Sequence, residues 1–222
     1  QSQVVRVPEN LPLDRAALLA CGVITGVGAV INTAQVEPGS SVVIIGTGGV
    51  GLNAVQGAAL AGAHPIIAMD LLDNKLGAAW AFGATHLVNS SDHNNAARSV
   101  KELTLGRGAD YAFVTVGSAE AVTQAFALTR KRGTVILVGL PAPGATASFQ
   151  VNPFVRGEQR IMGSFMGSTR VSVGVPRLVH LYQHGRLKLD ELITARYPLE
   201  QINEAIDAVE KGQALRNVIV FD

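Results

Sequence analysis

Five short, mostly apolar runs recur along the middle of the chain: SVVIIG (41–46), PIIAMD (65–70), THLVN (85–89), YAFVTVG (111–117) and GTVILVG (133–139). Between them lie GLNAVQGAALAGA (51–63), DNKLGAAWAFGA (73–84), NNAARSVKELTLG (94–106) and AEAVTQAFALT (119–129), each of helical length and composition. Strands that are apolar on both faces need cover on both faces, and parallel neighbours need a crossover between them. The alternation therefore predicts a doubly wound α/β domain of the Rossmann kind, a parallel sheet between helical layers in the strand order 3-2-1-4-5-6. QRIMGSF (159–165) supplies the expected sixth strand. In the 73–84 helix Asp73 reads as the N-cap and Gly83 as the stop, and Gly106 falls beyond the end of the third helix. PAPGATASFQVNP (141–153) has two prolines close together and no period, so it reads as a loop beside the ligand crevice.

The two ends leave this pattern. A short extended segment precedes a helix that starts near Asp14. After Phe165 come helices expected at 175–185 and 199–212, then a strand at 217–221 with no obvious partner nearby in the chain. An orphan apolar strand pairs with something far away in sequence or with something missing. Hydrophobic residues make up 48% of the chain and charged ones 16%, a balance that supports a well-filled core and argues against disorder. With 18 basic and 17 acidic residues the net charge is +1, which offers neither a nucleic-acid surface nor a polybasic membrane patch. No apolar run approaches the roughly 20 residues that span a bilayer, and QSQVVRVPEN is no signal peptide. The single cysteine, Cys21, excludes an intrachain disulfide and fits a reducing, cytoplasmic setting.

Gly46-Thr47-Gly48-Gly49-Val50-Gly51 matches G-x-G-x-x-G directly after a strand and directly into a helix. In that place Gly46 permits the tight turn, Gly48 lets backbone approach a pyrophosphate, and Gly51 lets helix and strand pack closely. The N–H groups that open the 51–63 helix then face the phosphates. Glycine turns also serve packing alone, and methyltransferases carry similar loops, so the acid at the end of the second strand matters. Asp70 lies nineteen residues past Gly51, where a carboxylate can accept both ribose hydroxyls of an adenosine and repel a 2′-phosphate, favouring NAD over NADP. A helix-capping or solvent-facing acid is the plainer alternative for Asp70.

Three further segments resemble one family together. LLACGVITGVGAVINTAQVEPGSSVVIIGTGGVGLNAVQGAALAGA (18–63), VGLP (138–141) and GQALRNVIVF (212–221) are similar to the zinc-dependent medium-chain alcohol dehydrogenases, near the glutathione- or mycothiol-linked formaldehyde and aryl-alcohol branches. The resemblance implies a tail of a GroES-like catalytic domain over 1–22, an NAD-binding Rossmann domain over 23–165, and a segment 166–222 returning to the catalytic domain, whose remainder is absent. It places Cys21 as a ligand of the catalytic zinc, the remaining ligands lying in the absent domain; the plainer reading of a lone cysteine is a small buried hydrophobe. It sets Thr25 against the nicotinamide ring, Val138, Gly139 and Leu140 along the nicotinamide pocket with Val116 among the cofactor contacts, and the backbone of Ser164 and Met166 on the carboxamide. Arg216 would pair with the pyrophosphate, or stand as a surface charge, and Lys75 would reach the adenosine ribose or solvent. His180 and His184, at i and i+4, read as an exposed helix face, since LYQ between them holds no acid.

The implied function is the NAD(H)-binding portion of an alcohol or aldehyde dehydrogenase acting on a primary or aromatic alcohol, with no general base in this stretch. The alternatives are a non-catalytic NAD(H)-sensing module and a methyltransferase that takes a nucleoside sulfonium. A homodimer joined at edge strands near 159–165 is the implied assembly.

Overall fold

A helical run, α1 (Leu13–Ala34), leads into β1 (Val42–Ile45), α2 (Gly49–Leu60), β2 (Ile66–Asp70), α3 (Asp73–Ala81), β3 (His86–Asn89), α4 (His93–Leu103), β4 (Ala109–Val114), α5 (Ala119–Leu128) and β5 (Thr129–Leu137). Then come α6 (Val151–Gly157), β6 (Arg160–Gly163), α7 (Val171–Gln183), β7 (Ile193–Pro198), α8 (Ile202–Glu210) and β8 (Arg216–Val220). The computed structural model describes residues 3–221. Two units emerge, Thr25–Ser168 and Gln1–Ile24 with Thr169–Asp222.

In the first unit the six strands pair in the order β3-β2-β1-β4-β5-β6, every pair parallel, as the alternation predicts. Ile44 of β1 stands opposite Ala68 of β2 and Phe113 of β4, and all three are fully buried. That two-sided burial is why these strands read as continuous apolar runs rather than as alternating ones. Asp92 caps α4 by accepting from the N–H groups of Asn94 and Asn95, and Ser118 caps α5 by accepting from Ala121.

Several boundaries differ from the sequence reading. Helix α2 starts two residues early, so Gly51 lies inside it. Asp73 is not an N-cap: Leu72 holds that place with no side-chain bond, and the Asp73 carboxylate instead accepts from Asn89 Nδ2 at 2.7 Å. Gly83 ends the helix as expected, with φ +108°. The 141–153 stretch is irregular only to Gln150, after which α6 begins. Pro153 falls in its first turn, where a missing N–H costs no helix bond, and Phe154 anchors it through ring contacts at 5.8 and 5.0 Å to Phe126 and Phe149.

In the second unit β8 has a partner within the chain after all: β7, parallel to it, with α8 in the crossover. Strand β7 alternates half-buried and exposed positions and carries Thr194 and Arg196, so it shows no apolar run. The membrane expectation also needs correcting. Helix α1 has 22 residues, and its most apolar window reaches a mean hydropathy of 1.8, enough by length and composition to cross a bilayer. Of the most apolar window, 61% is buried inside the protein, which is how a core helix disposes of such residues.

Candidate functional site

The site grows from the end of β1. Gly46 has φ +94°, and a Cβ there would collide with Val116 Cγ1. A Cβ on Gly51 would strike the Gly46 carbonyl oxygen, so the first turn of α2 sits directly on the loop that feeds it. Gly48 is the N-cap residue, and a Cβ on it would meet nothing within 4 Å. The backbone at Gly48 thus borders open space at the start of a 12-residue helix, whose first N–H groups have no partner within the helix. This arrangement suits an anion approached by backbone.

Asp70, at the carboxyl end of β2, is tied into the same turn. Its Oδ2 accepts from Thr47 N at 2.7 Å and Thr47 Oγ1 at 3.0 Å, and its Oδ1 accepts from Leu72 N at 3.1 Å. A carboxylate has about four acceptor sites, and three bonds within the chain already use both oxygens of Asp70. The fully buried Thr47 is therefore a link between turn and acid, a role the motif does not show. Beside Asp70 a cavity of about 210 Å³ is lined in part by Gly46, Ser90, His93, Val116 and Gln124. Lys75 does not line it; it lies half-buried in the first turn of α3.

A larger cavity, about 580 Å³, opens at the carboxyl ends of β4, β5 and β6. Val116, Val138, Gly139, Leu140 and Ser164 line it, so Val116 borders both cavities. Ligand sites in open α/β sheets lie at this edge. Thr25 and Met166 are not among its walls but meet each other, Thr25 Oγ1 lying 4.0 Å from Met166 Sδ.

Cys21 and Arg216 belong to the other unit, where they share a cavity of about 230 Å³ with Ala17, Leu18, Gly22 and β8 residues. Cys21 is exposed rather than a buried small hydrophobe, and it lies in a π-helical turn, Leu19–Val23. The Arg216 guanidinium lies over Gly22, close enough that a Cβ there would be 2.5 Å from Nη2. Among the described residues no group of three His, Cys, Asp or Glu side chains gathers to hold a metal ion. His180, in the last turn of α7, and His184, its C-cap residue, stack at 4.1 Å and are both exposed, as expected.

Two ion clusters brace the units. In the second unit Asp14 accepts from Arg15 and Arg196, and Asp190 accepts from Arg15 and from the Tyr182 hydroxyl at 2.8 Å. Burial pushes the Asp14 carboxyl up, but the hydrogen bonds from Arg15 and Arg196 outweigh it and hold it below the usual range. The Tyr182 hydroxyl, above all, lowers Asp190. In the first unit, at the amino ends of the strands, Asp110 accepts from Ser41 N at 2.7 Å, from Ser41 Oγ at 2.6 Å and from Arg130. Burial raises that carboxyl too, and the bonds from Ser41 and Arg130 again bring it below its ordinary value.

The family model described as zinc-binding dehydrogenase matches residues 49–181. The chain belongs to this family. Among the curated relatives, the NDMA-dependent alcohol dehydrogenase of Amycolatopsis methanolica is 42% identical, over 99% of this chain and 60% of its own length. The S-(hydroxymethyl)glutathione dehydrogenase of Paracoccus denitrificans is 37% identical, over 98% and 60%. Among solved structures, benzyl alcohol dehydrogenase from Acinetobacter calcoaceticus superposes with a TM-score of 0.93 at 36% identity, covering 98% of this chain and 59% of that one. The chain thus spans about 60% of the length of the relatives it matches.

Proposed function

We propose that this chain is the NAD(H)-binding portion of a zinc-dependent alcohol or aldehyde dehydrogenase whose substrate is a primary or aromatic alcohol. The observation that carries the reading is the open backbone at Gly48 beside a carboxylate, Asp70, at the carboxyl edge of a family-matched sheet. Family membership sets aside the methyltransferase alternative. A dinucleotide fits the residues present: the open backbone at Gly48, where the helix through Gly49, Val50 and Gly51 begins, leaves space for a pyrophosphate, and Asp70 Oδ1 has room for a ribose hydroxyl. Val116, Val138, Gly139, Leu140 and Ser164 form a largely apolar wall for the nicotinamide half, and the family resemblance adds Thr25 and Met166, which meet each other. When bound, NAD supplies the hydride acceptor; the chain's own groups bind, orient and keep water from the ring.

Zinc does not fit this stretch by itself. A catalytic ion takes three protein ligands, and Cys21 stands without two companions among the described residues. On this reading 1–22 and 166–222 belong to a catalytic domain completed elsewhere, and 23–165 is the cofactor domain. The isolated 222-residue chain should bind NADH yet neither retain zinc nor oxidise alcohols. One zinc per chain after dialysis, together with alcohol-dependent NADH formation, would refute that. Strand β6 lies at the sheet edge with all four residues exposed, which supports a C2 dimer joined there; a monomer in micromolar sedimentation equilibrium counts against it. The deciding experiment is a titration followed through Trp80, which is 53% exposed on α3. NADH should bind at least tenfold more tightly than NADPH, about 1.4 kcal/mol. Equal or tighter binding of NADPH sinks the assignment of Asp70.

A further inference from the structure

After β6 the backbone takes three consecutive left-handed residues, Met166 (φ 50°), Gly167 (φ 63°) and Ser168 (φ 48°). Two of them are not glycine, and such runs persist only where the surroundings enforce them. The enforcing groups come from the last turns of α1. Asn32 Nδ2 donates to the Gly167 carbonyl at 2.9 Å, and Gly28 has no Cβ because one would lie 2.6 Å from that oxygen. Thr33 stands between two serines: its hydroxyl donates to Ser168 Oγ at 2.7 Å and lies 2.8 Å from Ser164 Oγ.

Counting protons fixes the direction of this chain. A threonine hydroxyl has one proton, and that of Thr33 goes to Ser168. The bond between Thr33 and Ser164 must then be made by the Ser164 proton. Ser164 is left with lone pairs and no proton to offer, and it lines the large cavity. We infer that Thr33 is a positioning residue that makes Ser164 Oγ an obligate acceptor, so that the cavity selects a carboxamide, which brings N–H donors, over a carboxylate, which brings none. The inference rests on the proposed binding of NAD and names the group that reads its amide. The left-handed turn serves it by carrying Ser168 back within reach of Thr33.

The test is calorimetric titration of the full chain with ADP-ribose, with NAD, and with the nicotinic acid analogue of NAD, which differs only in bearing a carboxylate. The wild-type chain should prefer the amide to the acid at least tenfold. Thr33→Val frees the Ser164 proton to donate, and should cut that ratio at least threefold while ADP-ribose affinity stays within twofold. Thr33→Ser, which keeps the hydroxyl, should restore the wild-type ratio. An unchanged ratio in Thr33→Val overturns the inference. If that variant does not fold, Ser164→Ala decides in its place, since the ratio must fall there also and an unchanged one overturns the inference. A wild-type chain that binds ADP-ribose but takes amide and acid equally overturns the hydroxyl chain alone. A wild-type chain that binds no ADP-ribose overturns the dinucleotide reading and this inference with it.

Discussion

The two sheets of this molecule solve opposite problems. In β1 every residue is buried, and Ile44 stands between fully buried neighbours on either side. In β7 no residue is fully buried; half-buried positions alternate with exposed ones along its six residues. A two-stranded sheet has little stability of its own in water, and β7–β8 lies in the unit where Asp14, Arg15, Arg196, Asp190 and Tyr182 form a charge cluster. One region is held by area removed from water, the other leans more on a few directed polar bonds. Burial tolerates acid and salt; directed bonds between ions do not.

That contrast can be broken in three ways. The largest effect is expected from cavities. Ile44→Ala should cost about 3 kcal/mol, and Ile193→Ala, in half-buried β7, about 1 kcal/mol or less, because less apolar area is lost. Urea midpoints with hydrogen exchange to report each unit would check this, and equal costs would erase the contrast. A smaller effect is expected from acid. Asp14 and Asp190 have folded pKa values below the ordinary carboxylate value, so the stability they contribute is present above that value and is lost as pH falls through the folded ones. Asp110 behaves likewise in the first unit, but there the strands it fastens are buried. Amides of β7 and β8 should therefore lose exchange protection at a higher pH than those of β1 and β4; the reverse order would contradict the assignment of roles. The smallest effect belongs to the surface. Arg98→Ala removes an exposed i,i+4 pair with Glu102 at 3.7 Å and should change stability by about 0.5 kcal/mol or less. A loss above 1 kcal/mol would show that exposed ions matter in the first unit as well.

The same difference decided what could be read from residues alone. Strands buried on both faces announce themselves as apolar runs, and their alternation with helices points to a doubly wound sheet, whose Rossmann order the six strands follow. ITARYP in β7 announces nothing, because its half-buried positions alternate with Thr194, Arg196 and Pro198, and β8 consequently looked unpaired. Helix α6 was hidden by Pro153 and by a cluster of phenylalanines whose contacts reach back to Phe126. At the site, the glycine turn was legible because each glycine has a local reason. The link from Thr47 to Asp70 was not, since it depends on how the loop curls across 23 residues of separation. Nor was Thr33 with Ser164, 131 residues apart, where only the folded chain shows that the hydroxyls meet.

The bonds of Ser41, Asp110 and Arg130 fasten the sheet at the amino ends of its strands, while the turn at Gly48 and the walls of the larger cavity stand at the opposite ends. Inheritance can act on the two ends separately. Val116, Leu140 and Ser164 line that cavity, apart from the bonds that fasten the amino ends. A lineage carrying this sheet can therefore vary the lining of that cavity while the fastening at the other end stays the same.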